Sequence, residues 1–496
     1  MTATVAFRVD ASPQGGGGHV MRCLALAEAL RALGARCLFL SARGSAETVP
    51  ALSASGHDAI ALDPDEDPLE RLSGPLDWLV VDHYGLDARF ERAARQVADR
   101  IMVIDDLADR PHDCDLLLDQ TPGRTEESYR ALATSGCKLL MGPGFALLRP
   151  GFVAGREAAL RRRSLPAPAK RLLIACGSSD PADLTGKALA AADGLDLEVT
   201  AVLGAAAPHL EAVRARCGRL LVEPDDMAGL MAEADLAIGA GGTSSLERCC
   251  LGLPSLIAVI ADNQAGNAAA LSARGAAVDL GPAAALSTDA IAAALTALAG
   301  DGEARRTMAR SAASLCDGLG ARRTAMHLIP ERARNGRPVV LRKADAEDSA
   351  TMLAWQQEPS VRRWARSPAP PGLEEHEAWM AAKLADPGCL LNLIECAGQA
   401  VGVLRLDRLD PGTDDTERHE VSILVAPGLQ GHGLGRAALA LARRLLPGVE
   451  LVAEVKPDNS ASHALFRGAG YSRTAEGYVS RPDAGIARSA EVVAIR

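Results

Sequence analysis

Gly15-Gly16-Gly17-Gly18-His19-Val20-Met21-Arg22 follows an apolar run, Val5 to Val9, and opens a helix, and this strand, turn and helix order governs how the N-terminal part of the chain is read. Downstream, Leu24, Ala27, Leu30 and Leu33 recur at helical spacing, which predicts a helix that starts within a residue or two of His19 and stops at Gly34. Glycines ahead of a helix let the backbone come close to a ligand. The partial positive charge at the helix N-terminus disfavours imidazolium, so His19 is expected to be neutral and able to take a proton from water. A glycine run ahead of a histidine that merely caps a helix reads the same way, so residues elsewhere must decide.

The chain has 496 residues, enough for about three compact units of roughly 150 residues each. A net charge of −10 with no long Lys/Arg cluster weighs against nucleic acid or an anionic membrane as the main partner and favours small molecules. The 11 cysteines are scattered without a CxxC pair, with one vicinal pair, Cys249-Cys250, and read as reduced core thiols. Met1 to Asp10 is too short and polar for a signal peptide. The longest apolar run, Leu251 to Ala261, is interrupted by Gly252 and Pro254, so a soluble cytoplasmic protein is expected.

Up to about residue 160, the short apolar runs Cys37-Leu40, Trp78-Val81, Ile101-Ile104 and Leu116-Leu118 alternate with helical patterns, as in a parallel α/β sheet. Ligands of such sheets sit at the carboxyl ends of strands, where Asp10, Asp82-His83-Tyr84 and Asp105-Asp106 fall, although most of these could equally cap helices or shape turns. Arg161-Arg162-Arg163 and Pro166-Ala167-Pro168 mark a linker, and a second α/β lobe, residues 161–333, restarts at Leu172 to Ala175. Its first strand runs into Cys176-Gly177-Ser178-Ser179-Asp180-Pro181.

The densest signal of this lobe runs from Ala237 through Gly241-Gly242-Thr243-Ser244-Ser245-Leu246-Glu247 to Asp262-Asn263-Gln264. A strand, a glycine turn and a hydroxyl-rich helix start provide backbone N–H groups and hydroxyls for a diphosphate without a lysine. A carboxylate one turn into the helix can accept from ribose hydroxyls. Ordinary N-caps with Glu247 completing a capping box would explain the short motif alone, though not the whole run.

Residues 1 to about 330 resemble the UDP-sugar hydrolases of pseudaminic acid biosynthesis. The resemblance rests on Arg8-Val9-Asp10-Ala11-Ser12 with Gly18 to Arg22, on Gly177 to Pro181, and on Gly241 to Glu247 through Asn263-Gln264. It implies two Rossmann-like lobes in a GT-B-like arrangement and cleavage of UDP from UDP-2,4-diacetamido-2,4,6-trideoxy-β-L-altropyranose. His19 would be the base acting on water, and no metal is expected. The nucleotide half is also similar to the lipid-linked N-acetylglucosamine transferase of peptidoglycan synthesis, whose ribose-contacting glutamate would correspond to Glu247. On this footing Gly18, Arg22 and Tyr84 are expected to contact sugar or phosphate. Gly242, Thr243, Ser244 and Ser245 are assigned to the diphosphate, Glu247 to ribose, and Asn263 and Gln264 to sugar.

Composition shifts after residue 330: Trp355, Trp364 and Trp379 follow Asn335-Gly336-Arg337-Pro338, and an α+β domain is expected over residues 337–496. Val421 to Val425, then Gln430-Gly431-His432-Gly433-Leu434-Gly435 and an alanine-rich helix, align backbone amides for a pyrophosphate. The lack of a Lys-Ser/Thr ending excludes an NTP-type loop, and coenzyme A meets the requirement. With Asn459, Ser462, Phe466 and Gly470-Tyr471, this run resembles the GNAT-family N-acetyltransferases, and Leu341 to Asp345, Trp355 and Glu375-His376 to Trp379 resemble the variety that acetylates amino sugars or protein amines. The resemblance implies acetyl-CoA as co-substrate, held by Leu424, Val425, Gln430, Gly431, Gly433, Leu434, Gly435, Asn459 and Ser462. Glu420 is assigned as base for the substrate ammonium. Phe466 replaces the tyrosine that often protonates the leaving thiolate in this family. The expected whole is a bifunctional enzyme of UDP-sugars and acetyl-CoA. The alternatives are a GT-B glycosyltransferase, which would need an acceptor and a membrane-facing apolar patch not seen in the N-lobe, and a nucleotide-sugar-binding regulator with an inactive GNAT domain.

Overall fold

The computed structural model describes residues 2–12, 16–72, 74–410 and 416–482, so Gly15 of the opening motif lies outside the described residues. The chain divides into two compact units, Met1–Thr324 and Ala325–Arg496.

In the first unit, β1 (Thr4–Val9), β2 (Arg36–Ala42), β3 (Asp58–Leu62), β4 (Trp78–Asp82), β5 (Ile101–Ile104), β6 (Leu116–Asp119) and β7 (Lys138–Met141) form a seven-stranded sheet in the order β3-β2-β1-β4-β5-β6-β7. All its pairings are parallel. The strands β4, β5 and β6 are buried at every residue, which is why they read as unbroken apolar runs rather than alternating ones. The chain steps outward from β1 to β3 and returns on the other side of β1 as β4. The loops after β1 and β4 therefore diverge and leave a crevice at the carboxyl ends of these two strands.

The second sheet repeats this plan. It contains β8 (Arg171–Ala175), β9 (Glu198–Leu203), β10 (Leu220–Val222), β11 (Leu236–Ala240), β12 (Ser255–Val259) and β13 (Val278–Pro282), in the order β10-β9-β8-β11-β12-β13, all parallel. Its switch point lies between β8 and β11.

The segment read from sequence as a linker is the end of a helix, Pro150–Ser164, that packs on the second lobe. Its arginines are not solvated punctuation. Arg163 donates to the carbonyls of Leu251, Met231 and Ala234, and Arg156 to those of Cys250, Cys316 and Ala313. These carbonyls include ones at helix ends that lack intrahelical partners. The lobe boundary therefore lies near residue 149 rather than 160. The chain leaves the second lobe beside the point where it entered. At Gly320 a side chain would collide with the backbone of Phe145 and Ala146, and Arg323, buried on Asp317 at 2.7 Å, donates to the Gly144 carbonyl at 3.0 Å.

The second unit holds β14 (Glu331–Arg332), β15 (Pro338–Lys343), β16 (Cys389–Cys396), β17 (Gln399–Leu409), β18 (Arg418–Val425), β19 (Glu450–Ala453), β20 (Ser472–Arg473) and β21 (Tyr478–Ser480), in the order β14-β15-β16-β17-β18-β19-β21-β20. Glu331 pairs with Val339, so this sheet begins before the expected boundary at residue 337. Every pairing is antiparallel except β18 with β19. The helix Leu434–Leu445 packs its buried alanines and leucines on the sheet, against β15 and β18 among others.

Candidate functional site

At the switch point of the first sheet, His19, in the first turn of the helix Gly18–Ala32, meets Asp82, the last residue of β4. His19 Nδ1 lies 2.7 Å from Asp82 Oδ1. Burial works against the charge of Asp82, but Arg22 and His19 outweigh it and hold the carboxyl well below the usual carboxylate range. An ionised carboxylate only accepts, so Nδ1 carries a proton, and in the neutral ring that tautomer puts the lone pair on Nε2. No described residue bonds Nε2, and the ring is 21% exposed. His83 nearby is the opposite case. Its Nδ1 accepts from the Gly85 N–H at 3.0 Å and its Nε2 donates to Asp10 at 3.1 Å, so both nitrogens are spent.

Arg22 is not the sugar or phosphate contact expected from the sequence. Its side chain is 2% exposed, and its Nε and Nη2 donate to the two oxygens of Asp82 at 2.7 Å each while Nη1 donates to Asp106 at 2.9 Å. The guanidinium holds Asp82 in place rather than facing a ligand. Tyr84 remains available: it is 44% exposed, sets its ring edge-on to His19 at 4.6 Å, and donates its hydroxyl to Asp106 at 2.9 Å. Burial and the Asp106 carboxylate both push its phenol up. Gly18 is exposed, with open space where a side chain would be. The sequence signal for Asp82 and Asp106 is their position at the carboxyl ends of β4 and β5, where aspartates also cap helices and shape turns.

In the second lobe the loop after β11 leads into the helix Ser244–Cys250. Thr243 makes no side-chain cap and no capping box forms, so the hydroxyls are not spent as the capping explanation requires. Ser245 corrects the expectation. It is 1% exposed, donates to the Gly242 carbonyl at 2.6 Å and accepts from Asn267 at 3.0 Å, bracing the turn from behind. Gly242, Thr243 and Ser244 are the part-exposed members. Glu247 is 19% exposed and 3.9 Å from Arg149; burial pushes its carboxyl up, against the pull of Arg149 and Arg248. Gln264 accepts from the Ile260 N–H at 3.2 Å, which turns its amide nitrogen toward Gly242, and Asn263 is exposed. Asp180 of the middle loop points inward and caps the N–H groups of Leu184 and Thr185.

In the second unit β18 pairs with β19 only from Arg418 to Glu420, while Val421 to Val425 pair with β17 alone. The two parallel strands part at Glu420 and open a wedge. Leu424 and Val425 line β18 there, half-buried, and Gln430 donates to the Val425 carbonyl at 3.3 Å. Gly431 and Gly433 have φ of +82° and +84°. At Gly433 a side chain would also press on Arg334 at 3.0 Å. Leu434 and Gly435 are buried, so they can offer a ligand only backbone N–H groups at the helix start. Asn459 caps the helix Ser460–Gly468 through the Ser462 N–H at 3.1 Å, which leaves the Asn459 amide nitrogen and the Ser462 hydroxyl for a ligand. This cradle of free amides fits a pyrophosphate-bearing cofactor. Glu420 is paired with the exposed Arg366, which also reaches Glu454 at 3.3 Å. Phe466 is buried between Tyr478, stacked at 5.5 Å, and Tyr471, edge-on at 5.1 Å. The Tyr478 hydroxyl is 2.9 Å from His463 Nδ1, and the Tyr471 hydroxyl is buried without a partner among the described residues, its phenol pushed up to about 12 by burial.

Residues 339–472 match the family described as Acetyltransferase (GNAT) domain. The second unit is a GNAT-like domain. Ahead of it, residues 171–321 match the family described as Glycosyltransferase family 28 C-terminal domain. SpsG, a spore coat polysaccharide biosynthesis protein of Bacillus subtilis, is 38% identical over 161 residues, covering 31% of this chain and 46% of that protein. The UDP-2,4-diacetamido-2,4,6-trideoxy-β-L-altropyranose hydrolase of Campylobacter jejuni is 30% identical over 155 residues, 30% of this chain and 53% of that protein. The chain thus spans about half the length of these curated relatives. The crystal structure of Acinetobacter baumannii MurG aligns with a TM-score of 0.50 at 16% identity, over 66% of this chain and 99% of that one, and at that identity the likeness is one of fold: the first unit is GT-B-like and precedes the GNAT-like domain. Among the described residues no group of three or more His, Cys, Asp or Glu could hold a metal ion, and no helix is long and apolar enough to cross a membrane.

Proposed function

We propose that the first unit hydrolyses UDP-2,4-diacetamido-2,4,6-trideoxy-β-L-altropyranose to the free sugar and UDP, and that the GNAT-like domain acetylates the 4-amino group of its UDP-4-amino-4,6-dideoxy precursor. The observation that carries the hydrolase reading is the His19–Asp82 pair, which leaves one lone pair, on Nε2, at the switch point of the first sheet. Water adds to the anomeric carbon as Nε2 takes its proton, Asp82 stabilises the imidazolium that forms, and UDP departs with the electrons of the glycosyl bond. The backbone N–H groups and hydroxyls of Gly242, Thr243 and Ser244 receive the charge on the diphosphate, Glu247 the ribose hydroxyls, and Asn263 and Gln264 the sugar. Tyr84 and Gly18 border the sugar beside His19. Further support comes from the Campylobacter jejuni relative, whose own activity is the hydrolysis of this UDP-sugar.

In the GNAT-like domain, acetyl-CoA would supply the acetyl group as a thioester. Leu424, Val425 and the amides from Gln430 to Gly435, with Asn459 and Ser462, would hold its pantetheine and pyrophosphate. Glu420, at the vertex of the wedge, takes a proton from the substrate ammonium once Arg366 has swung away. A glycosyltransferase using the same donor is the competing reading, favoured by the family match over residues 171–321. Incubation with UDP-sugars in the absence of any acceptor separates the two, because only a hydrolase then releases UDP.

A further inference from the structure

The loop from Gly241 to Ser244 has a buried cation directly behind it. Arg248 is 1% exposed. Its Nη2 donates to the Ala240 carbonyl at 2.7 Å and its Nη1 to the Ser244 hydroxyl at 3.2 Å, while its Nε finds no partner among the described residues. Both acceptors are neutral. Burial works against its charge, yet a guanidinium keeps its proton across the physiological range. A charge left in the interior without a carboxylate bonded to it is costly, and a methionine of similar reach would avoid that cost.

The Glu247 carboxylate, next in the chain, offsets part of this cost through space without a hydrogen bond, and the position of the group is as telling as its burial. Gly239 pairs with Ala175 across β11 and β8, the two strands of the switch point. A side chain at Gly239 would lie 2.6 Å from Arg248 Nη1 and 2.8 Å from the Ala175 carbonyl, so glycine is what makes room for the guanidinium there. Because the Ser244 oxygen accepts from Arg248, its own hydrogen is directed away, toward the open side of the loop. The helix Ser244–Cys250 is only seven residues long and carries little of the site by itself.

We infer that Arg248 is a positioning residue that supplies the missing countercharge of the UDP diphosphate from behind the loop and aims the Ser244 hydroxyl at it. The inference rests on the reading of this lobe as the UDP site. Charge-assisted recognition through a low-dielectric layer strengthens binding in proportion to phosphate charge and leaves the nucleoside indifferent.

The test is calorimetry of the full chain with UDP and with uridine, with thermal melting as a check on folding. R248M is expected to weaken UDP about tenfold or more while uridine stays within about twofold. R248K, which keeps the charge, should retain most of the UDP preference, and R248Q, which keeps a donor for the Ala240 carbonyl without charge, should behave like R248M. If R248M does not fold, the comparison of R248Q with R248K carries the test. Equal UDP-to-uridine ratios in R248Q and R248K, or an unchanged ratio in R248M, overturn the role of Arg248 while the UDP site stands. A wild-type protein that binds UDP no better than uridine overturns the diphosphate reading itself, and the inference with it.

Discussion

Replacing Asp82 by asparagine tests the hydrolase reading at its most exposed point. The carboxylate accepts from His19 Nδ1, from Arg22 Nε and Nη2, all at 2.7 Å, and from the Cys23 thiol at 3.4 Å. An asparagine amide cannot satisfy all of these. If its nitrogen faces His19 it donates to Nδ1, the proton moves to Nε2, and the base is gone. If its oxygen faces His19 the tautomer survives, but the imidazolium formed during the reaction has lost the negative charge beside it. At an effective dielectric of about 20, two unit charges about 4 Å apart interact by about 4 kcal/mol, or about a thousandfold in rate. Loss of a positioned base spans about 10²–10⁴-fold, so D82N should lower the rate of UDP release within that range. The substitution also removes one counterion of buried Arg22. Asp106, at 2.9 Å, remains, so the stability loss should fall at the low end of the about 3–5 kcal/mol for breaking a buried pair. The assay is UDP release by the full chain below its melting temperature, with UDP affinity by calorimetry as the control, since the second-lobe loop is untouched. A D82N enzyme within a few-fold of wild type, binding UDP normally, would refute the assignment of His19 and Asp82 as the working pair.

Three further outcomes are expected. H19N should cut UDP release by about 10²–10⁴-fold with UDP affinity unchanged, measured by the same two assays. E247A should weaken UDP binding by about 1–3 kcal/mol in calorimetry and leave acetyl-CoA binding as it was; equal UDP affinity would return Glu247 to a purely structural role. Asp82 and Asp10 are both held below the usual carboxylate range, Asp82 against its burial by Arg22 and His19, and Asp10 against its burial by His83, Arg8 and the Ala42 N–H. The unfolded chain therefore takes up protons first as pH falls. Their contribution is complete above the unfolded value of about 3.9 and drains away as pH drops through the lower folded values. Denaturant midpoints measured from pH 5 to pH 2 should fall steeply for wild type and less steeply for D82N.

The alternation of apolar runs and helical patterns made the α/β class of both lobes legible through β1, β2, β4, β5, β6, β8 and β11, whereas β3, β9, β10 and β13, part-exposed at most residues, carry no run that the sequence singles out. The glycine turns announced the loops at both switch points: a chain that must turn from strand to helix within a few residues uses glycine. Which side chain faces outward was not legible. Ser244 and Ser245 are neighbours of one residue type, yet one borders the open side of the loop and the other braces the turn. Arg22 sits one helical turn from His19, and only the fold brings up the two aspartates that claim it. The arginines of the helix Pro150–Ser164 looked like a solvated linker because nothing local marks the distant carbonyls they serve. Arg248 gave no signal at all, since an arginine four residues into a helix is ordinarily exposed.

The contact of Gly320 with Phe145 and Ala146 brings the two ends of the second lobe together. A segment whose ends already meet behaves as an insert: its removal or replacement asks the surrounding chain to close almost no gap, so the entropy of joining is small. The lobe can therefore be exchanged whole, its six strands and nucleotide loop travelling as a cassette, while the His19 lobe keeps its own hydrogen bonds. Swapping this cassette between enzymes that use different nucleotide carriers offers a route to new donor preference that does not pass through piecemeal changes in a packed core.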